Sequence, residues 1–135
     1  MEEIVFVDAN IFLEIFLRDL KAEACKQFLK SLASQQTQAW TTDFIVYTCL
    51  IQVQNHLKDP HFLRDVILFF GNYSPLKIQR PSLKEWYTAV DLMKIYKLDF
   101  DDSLVVASMQ SRGITKLVSL DKHFDKVKFI ERIRL

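Results

Sequence analysis

The apolar residues of the chain fall into short blocks with two different periods. Ile4 to Val7 is an unbroken apolar run ending at Asp8, which predicts a buried strand. Ile11, Phe12, Ile15 and Phe16 then recur at helical spacing, with Asn10 placed to cap that helix. A second amphipathic helix is predicted over about Lys21 to Ala33, with Ala24, Cys25, Phe28, Leu29 and Leu32 as its apolar stripe. A short strand near Gln38 to Thr41 leads into a helix capped by Thr42 or Asp43 and carrying Ile45, Val46, Cys49, Leu50 and Val53. Asp59 and Pro60 break the pattern before a helix over about His61 to Phe70.

The second half repeats the alternation. Pro75 and Pro81 confine a short strand between them, and Ser82 with Glu85 has capping-box spacing at the head of a helix reaching about Tyr96. Asp102 to Arg112 reads as a helix closed by Gly113. A strand in "TKLVSLDKHF" ends at Asp121, and "KVKFIERI" supplies a last strand. Strands alternating with helices predict an α/β sandwich around a mainly parallel sheet.

Composition narrows the class. Among 135 residues, half are hydrophobic and eleven are Phe, against two Gly and three Pro, which fits one packed domain without linkers or repeats. Apolar runs stop well short of the roughly 20 residues that span a bilayer, and no leader-like segment precedes the first strand, so a soluble, cytoplasmic protein is expected. Cys25 and Cys49 lie in helical stretches without nearby partners and are expected in the core. His56, His61 and His123 form no compact ligand set in the sequence, which argues against zinc. The net charge of +1 excludes a broadly basic nucleic-acid coat, so any phosphate recognition is local.

The acids carry the chemistry. A buried carboxylate needs a cation or strong donors. Asp8 follows the first strand, Asp121 a later one, and Asp102 begins the helix between them in sequence. Ligands of open α/β sheets collect beyond the carboxyl ends of the strands, so the three converge on one edge. Oxygen-only ligands of this kind favour Mg²⁺ or Mn²⁺. Singly, each acid is equally well read as an ordinary cap or turn residue. Asp99 and Asp101 read as cap and loop residues, with Asp101 able to act as an acid behind the ligands.

Three stretches, "FVDANIFL", "DDSLVVASMQSRG" and "LVSLDKHF", in this order and spacing, resemble the PIN domain of VapC toxins from prokaryotic VapBC toxin–antitoxin pairs. The resemblance runs over essentially the full chain. It implies a single domain with a three-layer α/β/α sandwich, a short, mainly parallel central sheet flanked by helices, and a Mg²⁺- or Mn²⁺-dependent endoribonuclease acting on single-stranded RNA. Asp8, Asp102 and Asp121 match the family's metal-site and catalytic acids, while Asn10 and Ser119 match its supporting polar positions. The chain departs from the family at Thr48, where a helix glutamate is usual. Asp43 lies about 140° away around that helix, and Gln52, one turn on, offers only a neutral oxygen. One fewer carboxylate weakens divalent-metal binding.

Arg18, Lys77, Arg80 and Lys122 are the cations available for phosphates, and Trp40, Trp86 and Tyr87 the aromatics available for bases, core or dimer contacts. An antitoxin protein and a second copy of the chain are the partners expected; a membrane is not. The alternative is a PIN domain that binds RNA or a protein partner without cutting, which Thr48 favours.

Overall fold

A computed structural model describes residues 3–135. Five strands, β1 (Ile4–Val7), β2 (Gln38–Thr42), β3 (Leu76–Gln79), β4 (Lys116–Val118) and β5 (Glu131–Ile133), form one sheet in the order β3-β2-β1-β4-β5. Every pairing is parallel. Six α-helices intervene: α1 (Ala9–Phe16), α2 (Ala22–Ser34), α3 (Asp43–Leu57), α4 (Pro60–Asn72), α5 (Leu83–Tyr96) and α6 (Phe100–Ser111). A 3-10 turn at Lys122–Lys126 joins β4 to β5.

The strand order explains the layers. From β1 to β3 the chain steps steadily toward one edge, and the step from β3 to β4 carries it back past β1. Right-handed crossovers then put the helices of the two halves on opposite faces, giving the three-layer α/β/α sandwich. The packing agrees: α1 contacts α2 and α3, α3 contacts α4, and α5 packs on α6. Val5, Phe6 and Val7 on the central strand are buried, as a strand covered on both faces requires.

Local chemistry sets the helix ends. Ser82 and Glu85 form the full capping box of α5. Gly113, at φ +67°, lets the chain leave α6 while Ile114 N–H returns to the Met109 carbonyl at 2.9 Å, the closing bond of a Schellman turn. Phe12 meets Phe70 edge to face at 5.0 Å between centroids and so fastens α1 to α4. Cys25 and Cys49 are free and buried. Among the described residues no helix is long and apolar enough to cross a membrane.

Several boundaries differ from the sequence expectation. The cap of α1 is Asp8, and Asn10 is already helical. Helix α6 begins at Phe100, so Asp102 lies within its first turn. Strand β4 stops at Val118, leaving Ser119 and Leu120 between it and Asp121. The last strand shrinks to Glu131–Ile133, because Lys126 closes the 3-10 turn and residues 127–129 form a bend and turn.

Candidate active site

Strand order reverses between β1 and β4, which are hydrogen-bonded neighbours through Phe6–Leu117 and Val7–Val118. Chain segments leaving such a pair diverge to opposite faces and open a crevice at the carboxyl ends of the strands. Asp8 leaves β1 at this point, and Ser119 leaves β4. Asp8 N–H still donates to the Val118 carbonyl at 3.0 Å, so the two ends remain tied.

Asp8 is 7% exposed, and both of its carboxylate oxygens accept hydrogen bonds. Oδ1 accepts the Ala9 N–H at 2.8 Å, while Oδ2 accepts the Ser119 hydroxyl at 2.8 Å and the Asn10 amide at 3.3 Å. Burial pushes its carboxyl up to about 6, with Asp121 and Asp101 adding to the rise; the bonds from Ser119 and Ala9 act against it. Asn10 also donates to Ser119 Oγ at 3.2 Å and accepts the Leu120 N–H at 3.1 Å. It therefore clasps the ends of both strands. Ser119 Oγ in addition accepts the Asp121 N–H at 3.0 Å, which sets the path of the chain toward that acid.

Asp102 approaches from α6. It is half-buried, and burial followed by the charges of Asp101, Asp8, Asp121 and Asp99 pushes its carboxyl up to about 7. Its position in the first helical turn sets the α6 dipole partly against that repulsion. Asp101 is exposed beside it, and Asp99 is the N-cap residue of α6 without a side-chain capping bond.

Asp121 caps the 3-10 turn, its Oδ1 accepting the His123 N–H at 2.9 Å. The same oxygen lies 3.1 Å from His123 Nδ1. Donor atoms of Asp102, Asp121 and His123 all lie within 4.8 Å of one another. His123 was not among the site residues expected from the sequence, and of the expected acids Asp102 and Asp121 belong to this group while Asp8 does not. An Asx turn at Asp121 carries the chain back on itself within two residues, a signal available in the sequence. Arg132, whose side chain is 6% exposed, is a second residue missed by sequence reasoning. It grips Asp125 through Nε at 2.8 Å and Nη2 at 3.1 Å, and donates from Nη1 to the Ser119 carbonyl at 3.1 Å, bracing the segment that carries Asp121.

Thr48 sits on α3 with its hydroxyl donated to the Phe44 carbonyl at 2.9 Å, so it presents no charge. A groove of about 590 Å³ is lined by Asp43, Phe44, Tyr47, Arg80, Pro81, Trp86, Phe100 and Leu104. Phe100 and Leu104 place it on the same helix as Asp102. Trp40 is occupied: Lys77 lies 5.2 Å and Arg112 6.0 Å from its ring centre. Arg18 is exposed at the end of α1, away from these residues in the chain, and Lys122 is exposed next to Asp121.

The donor chemistry suits a hard divalent cation. Carboxylates this close repel one another, and a divalent ion removes that repulsion while taking their oxygens as ligands.

No curated protein sequence matches the chain. Its fold is similar to that of VapC20 from Mycobacterium tuberculosis, a toxin that cleaves the sarcin–ricin loop, at TM-score 0.79 and 14% identity over 97% of this chain and 99% of that one. VapBC2 from Rickettsia felis, solved with a fragment of its promoter DNA, gives 0.76 and 15% over 96% and 97%. A toxin–antitoxin complex from Klebsiella pneumoniae gives 0.69 and 17% over 94% and 95%. The PIN domain family model matches residues 5–130, nearly the whole chain, and the protein belongs to the PIN domain family.

Proposed function

We propose that the chain is a divalent-metal-dependent endoribonuclease of the VapC kind that hydrolyses single-stranded RNA. The observation that carries this reading is the meeting of Asp102 and Asp121, with donor atoms within 4.8 Å of each other, near the crevice where Asp8 leaves β1 beside β4. Clustered acids with perturbed protonation at the carboxyl edge of an α/β sheet mark a catalytic crevice.

Asp8, Asp102 and Asp121 hold the ion. A bound Mg²⁺ or Mn²⁺ supplies charge stabilisation at the scissile phosphate and acidifies a water molecule. The same carboxylates fix the coordination and help to take the proton of the attacking water. Asp8 keeps its place because Ser119, Asn10 and Ala9 hold both of its oxygens. Asp101 stands behind them as a further negative charge. Arg80 in the groove and Lys122 beside Asp121 reach for backbone phosphates, and Trp86 and Phe100 offer faces on which bases stack.

The toxins to which the fold is similar are found with antitoxin partners. We extend that to this chain: the apolar groove receives an antitoxin segment, and exposed Tyr87, Val90 and Ile95 on α5 form a homodimer face. Its place is the cytoplasm, where its RNA substrate is.

The experiment is cleavage of single-stranded RNA by purified protein in Mn²⁺, Mg²⁺ or EDTA, with Asp102→Asn prepared in parallel. Metal-dependent cutting lost in the variant is the expected result. Equal cutting by both proteins, or none in any metal, overturns the nuclease reading. That second outcome favours a PIN domain retained for binding, for which Thr48 and its internally spent hydroxyl speak.

A further inference from the structure

Thr48 leaves the acidic crevice one carboxylate short of the set that the family resemblance implies, and His123 brings one further donor to it. We propose that His123 is a nitrogen ligand of the divalent ion, completing with Asp102 and Asp121 a mixed nitrogen–oxygen site that prefers Mn²⁺ to Mg²⁺. The inference rests on the reading of the crevice as a metal centre.

Three observations carry it. First, the 3-10 turn after β4 folds back on the Asp121 carboxylate, and the bond from His123 N–H holds the backbone of residue 123 beside that acid. Second, His123 Nδ1 is 3.1 Å from Asp121 Oδ1. Adjacent donors on a six-coordinate ion with bonds of about 2.1 Å are separated by about 3 Å, so this spacing is that of two ligands side by side. Third, an Asp102 donor atom lies within 4.8 Å of both. A bound ion would sit between Nδ1 and the carboxylate in place of their direct contact, with Nδ1 as the neutral donor.

The chemistry of the substitution follows. A neutral imidazole adds a donor without adding to the repulsion among Asp8, Asp101, Asp102 and Asp121. It restores the count of ligands lost at Thr48, and it does not restore the lost charge. Mg²⁺ depends on charged oxygen and gains little from nitrogen, whereas Mn²⁺ and the later transition ions accept imidazole readily. The imidazole is 68% exposed, so replacing it disturbs no core packing.

The test uses the full chain loaded with Mn²⁺, with His123→Ala, His123→Gln and Asp102→Asn alongside and their folding checked by circular dichroism. Pulsed electron paramagnetic resonance reads nitrogen-14 coupled to Mn²⁺, and calorimetry gives Mn²⁺ and Mg²⁺ affinities. The expected result is a nitrogen coupling in the native protein that both His123 variants lose. Their Mn²⁺ affinity falls at least as much as the roughly tenfold typical of removing a group that merely orients a ligand, with a smaller change for Mg²⁺. Bound Mn²⁺ without nitrogen coupling, released by Asp102→Asn and indifferent to His123→Ala, overturns the ligand role and leaves the carboxylate centre standing. No Mn²⁺ binding by the native protein overturns the metal centre itself.

Discussion

Ser119 donates its hydroxyl to Asp8 Oδ2 across 2.8 Å and thereby joins the ends of two strands whose first residues lie more than a hundred positions apart in the chain. The same hydroxyl accepts from Asn10 and from the Asp121 backbone, so three of the site's residues meet at one oxygen. Ser119→Ala removes a donor from a buried carboxylate and an acceptor from two N–H groups. A loss of about 1–3 kcal/mol in stability is expected, measured by urea unfolding, together with a fall of roughly tenfold in divalent-metal affinity. Unchanged metal affinity would show that Asp8 plays no part in holding the ion.

The pH dependence of stability has an unusual sign. Carboxyls at Asp8 and Asp102 stand at about 6 and about 7 in the folded chain, above the ordinary 3.8. The folded state therefore holds these protons more tightly than the unfolded state does. Their contribution to stability is complete below the ordinary value and is lost as pH rises through about 6 to 7. In EDTA the melting temperature is expected to drop by several degrees between about pH 5 and about pH 8. Added Mn²⁺ should cancel the drop, because the ion binds the ionised carboxylates of the folded state alone. A melting temperature in EDTA that rises over this interval would contradict the crowding of the acids.

Thr48→Glu tests the departure from the family directly. The threonine hydroxyl is bonded only to its own helix, so its removal costs little, and a glutamate there returns the missing negative charge. Tighter Mg²⁺ binding and faster metal-dependent cleavage are expected, read by calorimetry and by hydrolysis of a fluorescent RNA. If neither improves, position 48 does not serve the crevice and the alignment with the family's glutamate fails.

Wherever one short-range rule decided the outcome, the sequence was a sufficient guide. The apolar run at Ile4–Val7, the Ser82–Glu85 box and Gly113 after α6 each follow from local chemistry, and each stands where expected. Asp8 was conspicuous because a carboxylate follows a buried strand. Its detailed role was less legible: an Asp at 8 and an Asn at 10 are both good caps, and what separates them is Leu120 N–H and Ser119 Oγ, which claim Asn10 from the far end of the chain. Long-range partners likewise hid Arg132, whose guanidinium reaches the Ser119 carbonyl and Asp125 from the last strand. His123 is inconspicuous in the sequence because its neighbours in space are aspartates, one of them Asp102 on another element.

The reversal of strand order between β1 and β4 also dictates when, during synthesis, the crevice can exist. Asp8 and Asn10 emerge first from the ribosome, yet β1 has no β4 beside it and the crevice no second wall until residues 116–121 have followed. Arg132, which braces that wall, comes later still. A chain that stops just before residue 116 carries Asp8 and Asp102 but lacks Ser119, Asp121 and the second wall of the crevice. With the two halves of the crevice more than a hundred residues apart in sequence, its assembly waits on the late strands rather than on the early ones.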